Sequence, residues 1–157
     1  MSLLKDEVDL LRRIPLFAHI DAAKLKLLAF SSQRLSYAPE QLLFRQGDTG
    51  DAAFVIISGT ADVIVNTPAG EVVVASVERN DFVGEISILC DVPRTATIRA
   101  TAPLETLKIS KDHFLRLLHD FPDMAVEVMR VLAERLGRTT AELTEARNRL
   151  KALEKSV

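Results

Sequence analysis

A single cysteine, Cys90, stands among 157 residues. That rules out an intrachain disulfide, a zinc site built on several cysteines and an iron–sulfur cluster ligated by the cysteines of one chain. Cys90 reads as a small apolar residue. Basic residues are in no excess: 20 Lys and Arg against 22 Asp and Glu leave a net charge of −2, so composition gives no electrostatic pull toward nucleic acid or an anionic membrane. Long apolar runs are missing, as is a charged-then-apolar leader at the N-terminus, and the expected location is the cytoplasm. Histidine is scarce. His19, His113 and His119 all fall in segments that read as helical, so the strand-rich middle offers no imidazole to a metal-binding barrel enzyme. No Ser, Thr or carboxylate stands beside a His at a spacing that implies a nucleophile and its base. The chain reads as a binder with no catalytic residues and no metal; a His-ligated haem sensor stays open as an alternative.

What is present is ordinary for a globular domain: 48% apolar and 27% charged residues, in enough chain for one core and an appendage. Three zones follow one another, without repeats or low-complexity tracts. Residues 3–31 read as helical. Leu3, Leu4, Val8, Leu10, Leu11 and Ile14 recur at helical spacing, Pro15 stops the run, and Asp21 is placed to cap a second short helix carrying Leu25, Leu27, Leu28 and Phe30. From about Leu35 to Ser110, short β-branched runs are separated by turn signals at Ala38-Pro39, Gln46-Gly47-Asp48, Ser58-Gly59, Pro68-Ala69-Gly70 and Arg79-Asn80-Asp81. Ala61, Val63 and Val65 alternate with Asp62, Ile64 and Asn66, as Ala96, Ile98 and Ala100 do with Thr95, Thr97 and Arg99. The expected fold is α+β: an antiparallel β jelly-roll barrel with N-terminal helices and a long C-terminal dimerisation helix. Lys111–Asp120 forms one further helix, and Pro122 opens the long one, which reaches about Lys155. Residues 1–121 are then the sensor domain and 122–157 the helical appendage.

The long helix carries a heptad seam. Met129, Leu136, Leu143 and Leu150 are seven apart, and Leu132, Thr139, Ala146 and Leu153 interleave with them. In a parallel homodimer over residues 129–153, Glu142 meets the copy's Arg147, and Arg149 meets its Glu154, both pairs opposite in sign. The alternative is an amphipathic helix packed on its own domain. Thr139 is the polar seam position, with Thr140 beside it, and either a buried partner or its own helix's carbonyls would satisfy it.

The chemistry concentrates between Phe82 and Ala100. Gly84 lets the backbone pass close to something bulky. Glu85-Ile86-Ser87-Ile88-Leu89 can form a short helix whose first N–H groups favour an anion. Pro93 ends the excursion, and Arg94, expected at the start of the next strand, has the planar fork that suits phosphate. A carboxylate would repel that anion, so Glu85 is better placed to accept from a sugar hydroxyl. On residues alone, a solvated Arg–Glu pair explains the segment as well.

Gly84, Glu85, Ile86, Ser87, Pro93, Arg94, Thr95, Ala96 and Thr97 closely resemble the phosphate-binding cassette of the cyclic-nucleotide-binding domain family. Phe44-Arg45-Gln46-Gly47-Asp48-Thr49-Gly50-Asp51 with Phe54 to Gly59, and Leu16-Phe17 with the Asp21 helix, are similar to the family's barrel and N-terminal signatures. The resemblance implies that Glu85 binds the ribose 2′-hydroxyl, that Arg94 pairs with the cyclic phosphate, and that Thr95 adds a contact from backbone or hydroxyl. It implies that Arg94 faces the pocket, so that Arg94→Glu abolishes binding and leaves the barrel folded. Ala133 to Thr140 is similar to the dimer helix of bacterial catabolite activator proteins. That likeness implies base contacts from Thr139 and Thr140, one from each subunit, and an Arg135 that reaches Glu85. The base hints oppose each other: Thr95 after the cassette arginine goes with cyclic GMP in some channels and kinases, while Thr139-Thr140 favours cyclic AMP. Cyclic AMP is the expected ligand and cyclic GMP the alternative. A winged helix-turn-helix would need a further helix pair beyond Val157, and the six acidic and seven basic residues of 123–157 form no basic stripe. The expected protein is a stand-alone or truncated sensor that does not itself contact DNA and that relays binding through its C-terminal helix to an unknown partner; an effector fragment of a transcription regulator is the alternative.

Overall fold

The computed structural model describes residues 2–156, with side chains from Asp6 onward, so the side chains of Leu3 and Leu4 lie outside the described residues. Helix α1 spans Ser2–Arg12, and the chain then makes a single 3-10 turn at Pro15–Phe17, with Pro15 at the first position, where its missing N–H costs nothing. Asp21 caps helix α2 (Ala22–Ser31) by accepting from the Lys24 backbone N–H at 2.9 Å.

Eight strands follow: β1 Gln33–Tyr37, β2 Leu42–Phe44, β3 Ala52–Ser58, β4 Thr60–Thr67, β5 Gly70–Glu78, β6 Phe82–Val83, β7 Thr97–Ala100 and β8 Leu104–Ser110. They form two four-stranded antiparallel sheets in the orders β1-β8-β3-β6 and β2-β7-β4-β5. This is the expected jelly roll, and the five turn signals fall in its connections or at the strand ends that border them.

Strand β3 shows why this architecture holds. Residues 52–57 are all buried, so the strand has no solvent face. Ala52, Phe54 and Ile56 pack between the two sheets with Ala61, Val83, Ile98 and Leu104. Ala53, Val55 and Ile57 turn the other way, into a second core with Phe17, Leu25, Phe114, Met124 and Val128. The period-two alternation of a strand therefore joins the barrel to the helices. Each fully buried Val, Leu, Ile, Phe or Met side chain contributes about 1.5–3 kcal/mol.

Two local expectations need correction. On β4 the alternation Ala61, Val63, Val65 does not persist: the pairing with β5 shifts register between Val63 and Ile64, and Ile64 turns inward while Val63 and Val65 are only half-buried. And Arg94 does not start β7. Its backbone is held by a loop instead: Arg94 N–H donates to the Asp48 carbonyl, and Gly47 N–H donates to the Arg94 carbonyl, both at 2.8 Å.

Helix α3 is Glu85–Leu89, α4 is Lys111–Asp120 and α5 is Pro122–Lys155. Ser110 caps α4 through the His113 N–H. The first turns of α5 bury Met124 and Val128 against the helical core, with Leu132 half-buried beside it. Met129, Leu136, Leu143, Leu150 and Leu153 are exposed, each by more than half of its surface. No described helix is long and apolar enough to cross a membrane.

Candidate nucleotide-binding site

Strand β6 delivers the chain to Gly84, which adopts φ +88° and starts α3. A side chain there would be strained by the backbone and would place its Cβ 2.6 Å from Arg94 Nη1. The left-handed residue therefore does two things: it turns the strand into the helix and admits a guanidinium against the turn.

Arg94 is 4% exposed. Its Nη1 donates to the Gly84 carbonyl at 2.9 Å and to Ser87 Oγ at 2.8 Å, and its Nη2 donates to the Ala52 carbonyl at 2.7 Å. The guanidinium carbon lies 4.0 Å from the centroid of the Phe44 ring. Nε is buried and has no partner. Burial pulls the Arg94 pKa down, and the charges of Asp51, Glu85 and Asp48 resist that pull. Arg94 is thus embedded in the barrel wall, and its reversal to glutamate would set a carboxylate against two carbonyl oxygens. The expectation that such a change leaves the barrel intact does not fit this burial.

Glu85 is 2% exposed, and its Oε1 lies 3.1 Å from Arg135 Nη1. Burial pushes its pKa above the usual 4.5, opposed by Arg135, by its own backbone N–H and by Arg94. Arg135, on α5, also donates from Nη2 to the Phe82 carbonyl at 2.8 Å and rests its guanidinium 4.7 Å from the Phe82 ring centroid. One carboxylate is therefore tied to the long helix, and one arginine is tied to the barrel, within a segment of eleven residues running from Gly84 to Arg94.

Of the residues expected at the site, Gly84, Glu85, Ser87, Arg94 and Arg135 belong to this connected cluster. Ile86 is 42% exposed, Thr95 is exposed and Ala96 half-buried. Thr139 and Thr140 lie one turn beyond Arg135 on α5, both exposed and outside the cluster. Phe44, Gly50 and the Ala52 carbonyl complete the setting of Arg94, although sequence reasoning assigned that stretch only to the barrel; its pair of glycines, Gly47 and Gly50, was the available signal. The histidines take no part: His19 and His119 are exposed, and half-buried His113 shares a hydrogen bond with Ser110. Among the described residues no three His, Cys, Asp or Glu side chains gather as a metal site.

A family model described as "Cyclic nucleotide-binding domain" matches residues 34–121. The chain is 31% identical over 115 residues to a cAMP-dependent protein kinase regulatory subunit of Blastocladiella emersonii, covering 73% of this chain and 28% of that one. It is 26% identical over 138 residues to a CRP-like cAMP-activated global transcriptional regulator of Mycobacterium tuberculosis, covering 87% of this chain and 62% of the regulator. The chain thus spans less than two thirds of these relatives. Among solved structures, the sensor domain of the transcriptional regulator DNR from Pseudomonas aeruginosa superposes with a TM-score of 0.76 at 26% identity, covering 90% of this chain and 96% of that domain.

Proposed function

This chain belongs to the cyclic nucleotide-binding domain family, and on that premise we propose that it is a cytoplasmic, non-catalytic receptor for cyclic AMP that works as a parallel homodimer. The observation that carries the reading is the pair of buried, opposite charges in one short segment, Glu85 and Arg94. Arg94 pairs with the cyclic phosphate, which would satisfy its buried, unpartnered Nε once the ligand enters. Glu85 accepts from the ribose 2′-hydroxyl. Gly84, Ile86, Ser87, Thr95 and Ala96 shape the cassette around them. Thr139 and Thr140 recognise the base, one residue from each copy. Cyclic AMP is favoured by that threonine pair and by the names of the kinase and transcription-factor relatives; Thr95 keeps cyclic GMP as the alternative.

Output runs through α5. The Glu85–Arg135 ion pair joins cassette to helix, so a ribose that recruits Glu85 changes what holds Arg135. Signalling requires α5 to differ between free and bound states. The exposed stripe Met129, Leu136, Leu143, Leu150 and Leu153 supports pairing with a second copy, as do the complementary pairs Glu142–Arg147 and Arg149–Glu154. In the single chain Arg149 bonds Glu145 at 2.6 Å, a contact the dimer must compete with. A second reading, the effector domain of a longer transcription regulator, is favoured by the extent of the match to the mycobacterial regulator.

An amide-resolved NMR titration with cyclic AMP tests both parts. Shifts at residues 82–97 and along 120–155 are expected together. Shifts confined to 82–97 would leave a binder without the relay, and no shifts in either region would overturn the receptor reading.

A further inference from the structure

Arg94 has five N–H donors, and their allocation is informative. Nη1 spends both of its hydrogens, on Gly84 O and Ser87 Oγ, and Nη2 spends one on Ala52 O. Nε alone is left buried and without a partner. An arginine N–H in that state is a donor that a phosphate would satisfy.

Of the three acceptors that fix the guanidinium, two are main-chain carbonyls that no substitution removes. Ser87 Oγ is the exception. Ser87 is 4% exposed, and its hydroxyl donates onward to Gly84 O at 3.1 Å while accepting from Arg94. Its place exists because residue 50 has no side chain: a Cβ on Gly50 would overlap Ser87 Oγ and Cβ and come within 3.3 Å of Arg94 Cζ. Phe44 closes one face of the guanidinium.

We propose that Ser87 is a positioning residue: seated in the space left by Gly50, its hydroxyl anchors the Nη1 end of Arg94 and holds the guanidinium with its unpartnered Nε kept for the nucleotide phosphate. The Ser87 hydroxyl then acts on affinity through Arg94. The inference rests on the receptor reading above and adds a role for one side chain within it.

A double-mutant cycle separates this role from a merely structural one. Cyclic AMP affinity is measured by calorimetry for the parent, Ser87→Ala, Arg94→Lys and the double variant. Ser87→Ala should weaken binding by about tenfold, the worth of one hydrogen bond to a charged group. In the Arg94→Lys background, where the fork is gone, the same change should weaken binding by less than about twofold. Equal losses in both backgrounds, or an Ser87→Ala protein that binds as tightly as the parent, would overturn the proposal. A parent that binds neither cyclic AMP nor cyclic GMP would instead overturn the receptor reading, and this role with it. The ligand-free protein supplies a second measurement, for use if Arg94→Lys binds too weakly to close the cycle. The Arg94 Nε–H resonance should be a single ordered signal in the parent and broaden in Ser87→Ala; an unchanged signal would count against the anchoring role.

Discussion

The cassette and the long helix depart from the usual burial pattern in opposite directions. Residues 84–94 supply three of the four buried polar or charged side chains among the described residues, Glu85, Ser87 and Arg94. Helix α5, beyond its first turns, exposes Leu136, Leu143, Leu150 and Leu153. A buried charge is unfavourable unless it is fully paired, and an exposed leucine stabilises nothing in a single chain. Neither region is arranged for the stability of one copy. On the proposed reading, the cassette carries charge inside to meet a small polar ligand, and the helix carries apolar surface outside to meet a copy of itself. Arg135 joins the two, with one end of its side chain in each region.

The largest expected effect breaks the cassette side. Arg94→Glu should abolish nucleotide binding and also destabilise the domain by about 3–5 kcal/mol, because it leaves a buried charge against carbonyl oxygens. The melting temperature should then fall by roughly 10 °C. A melting point equal to that of the parent would show that Arg94 is not embedded as described. On the other side, Leu136→Glu should convert the proposed dimer to a monomer in sedimentation while leaving the barrel folded, since Leu136 is 68% exposed in the single chain. A monomeric parent would remove the seam from the account.

Glu85→Gln sharpens the comparison. Losing the charge-assisted acceptor should weaken cyclic AMP by about 10- to 100-fold, corresponding to roughly 1.5–3 kcal/mol. Stability should move the other way with pH. Burial raises the Glu85 pKa above 4.5, so the native state takes up this proton before the unfolded state does. The Glu85 contribution to stability therefore grows as pH falls through the raised value toward 4.5, while nucleotide affinity declines over the same range. Both slopes should vanish in Glu85→Gln, which paired pH titrations of melting and binding would check. The smallest effect belongs to Thr139→Val, expected to weaken cyclic AMP by about fivefold as one neutral hydrogen bond is lost, with cyclic GMP less affected.

Much of this was legible in the chain because its signals are local. The five-residue helix Glu85–Leu89, the Asp21 cap and the Pro122 start each depend on neighbours within a turn, and each falls where the sequence places it. What escaped depends on strands meeting across the fold. The slip between Val63 and Ile64 is set by pairing with β5, not by the alternating pattern of β4. The family resemblance set Arg94 at the pocket, but its burial could not be read from its neighbours, because it comes from Phe44, Gly50 and Ala52, more than forty positions earlier. The Glu85–Arg135 contact spans 50 residues and was reached only through the family resemblance.

The most direct test of the central claim is isothermal titration of ligand-stripped protein with cyclic AMP, cyclic GMP and linear 5′-AMP. Binding of one cyclic AMP per chain, tighter than cyclic GMP and with no heat from 5′-AMP, is the predicted result. An absence of heat with both cyclic nucleotides would contradict the account.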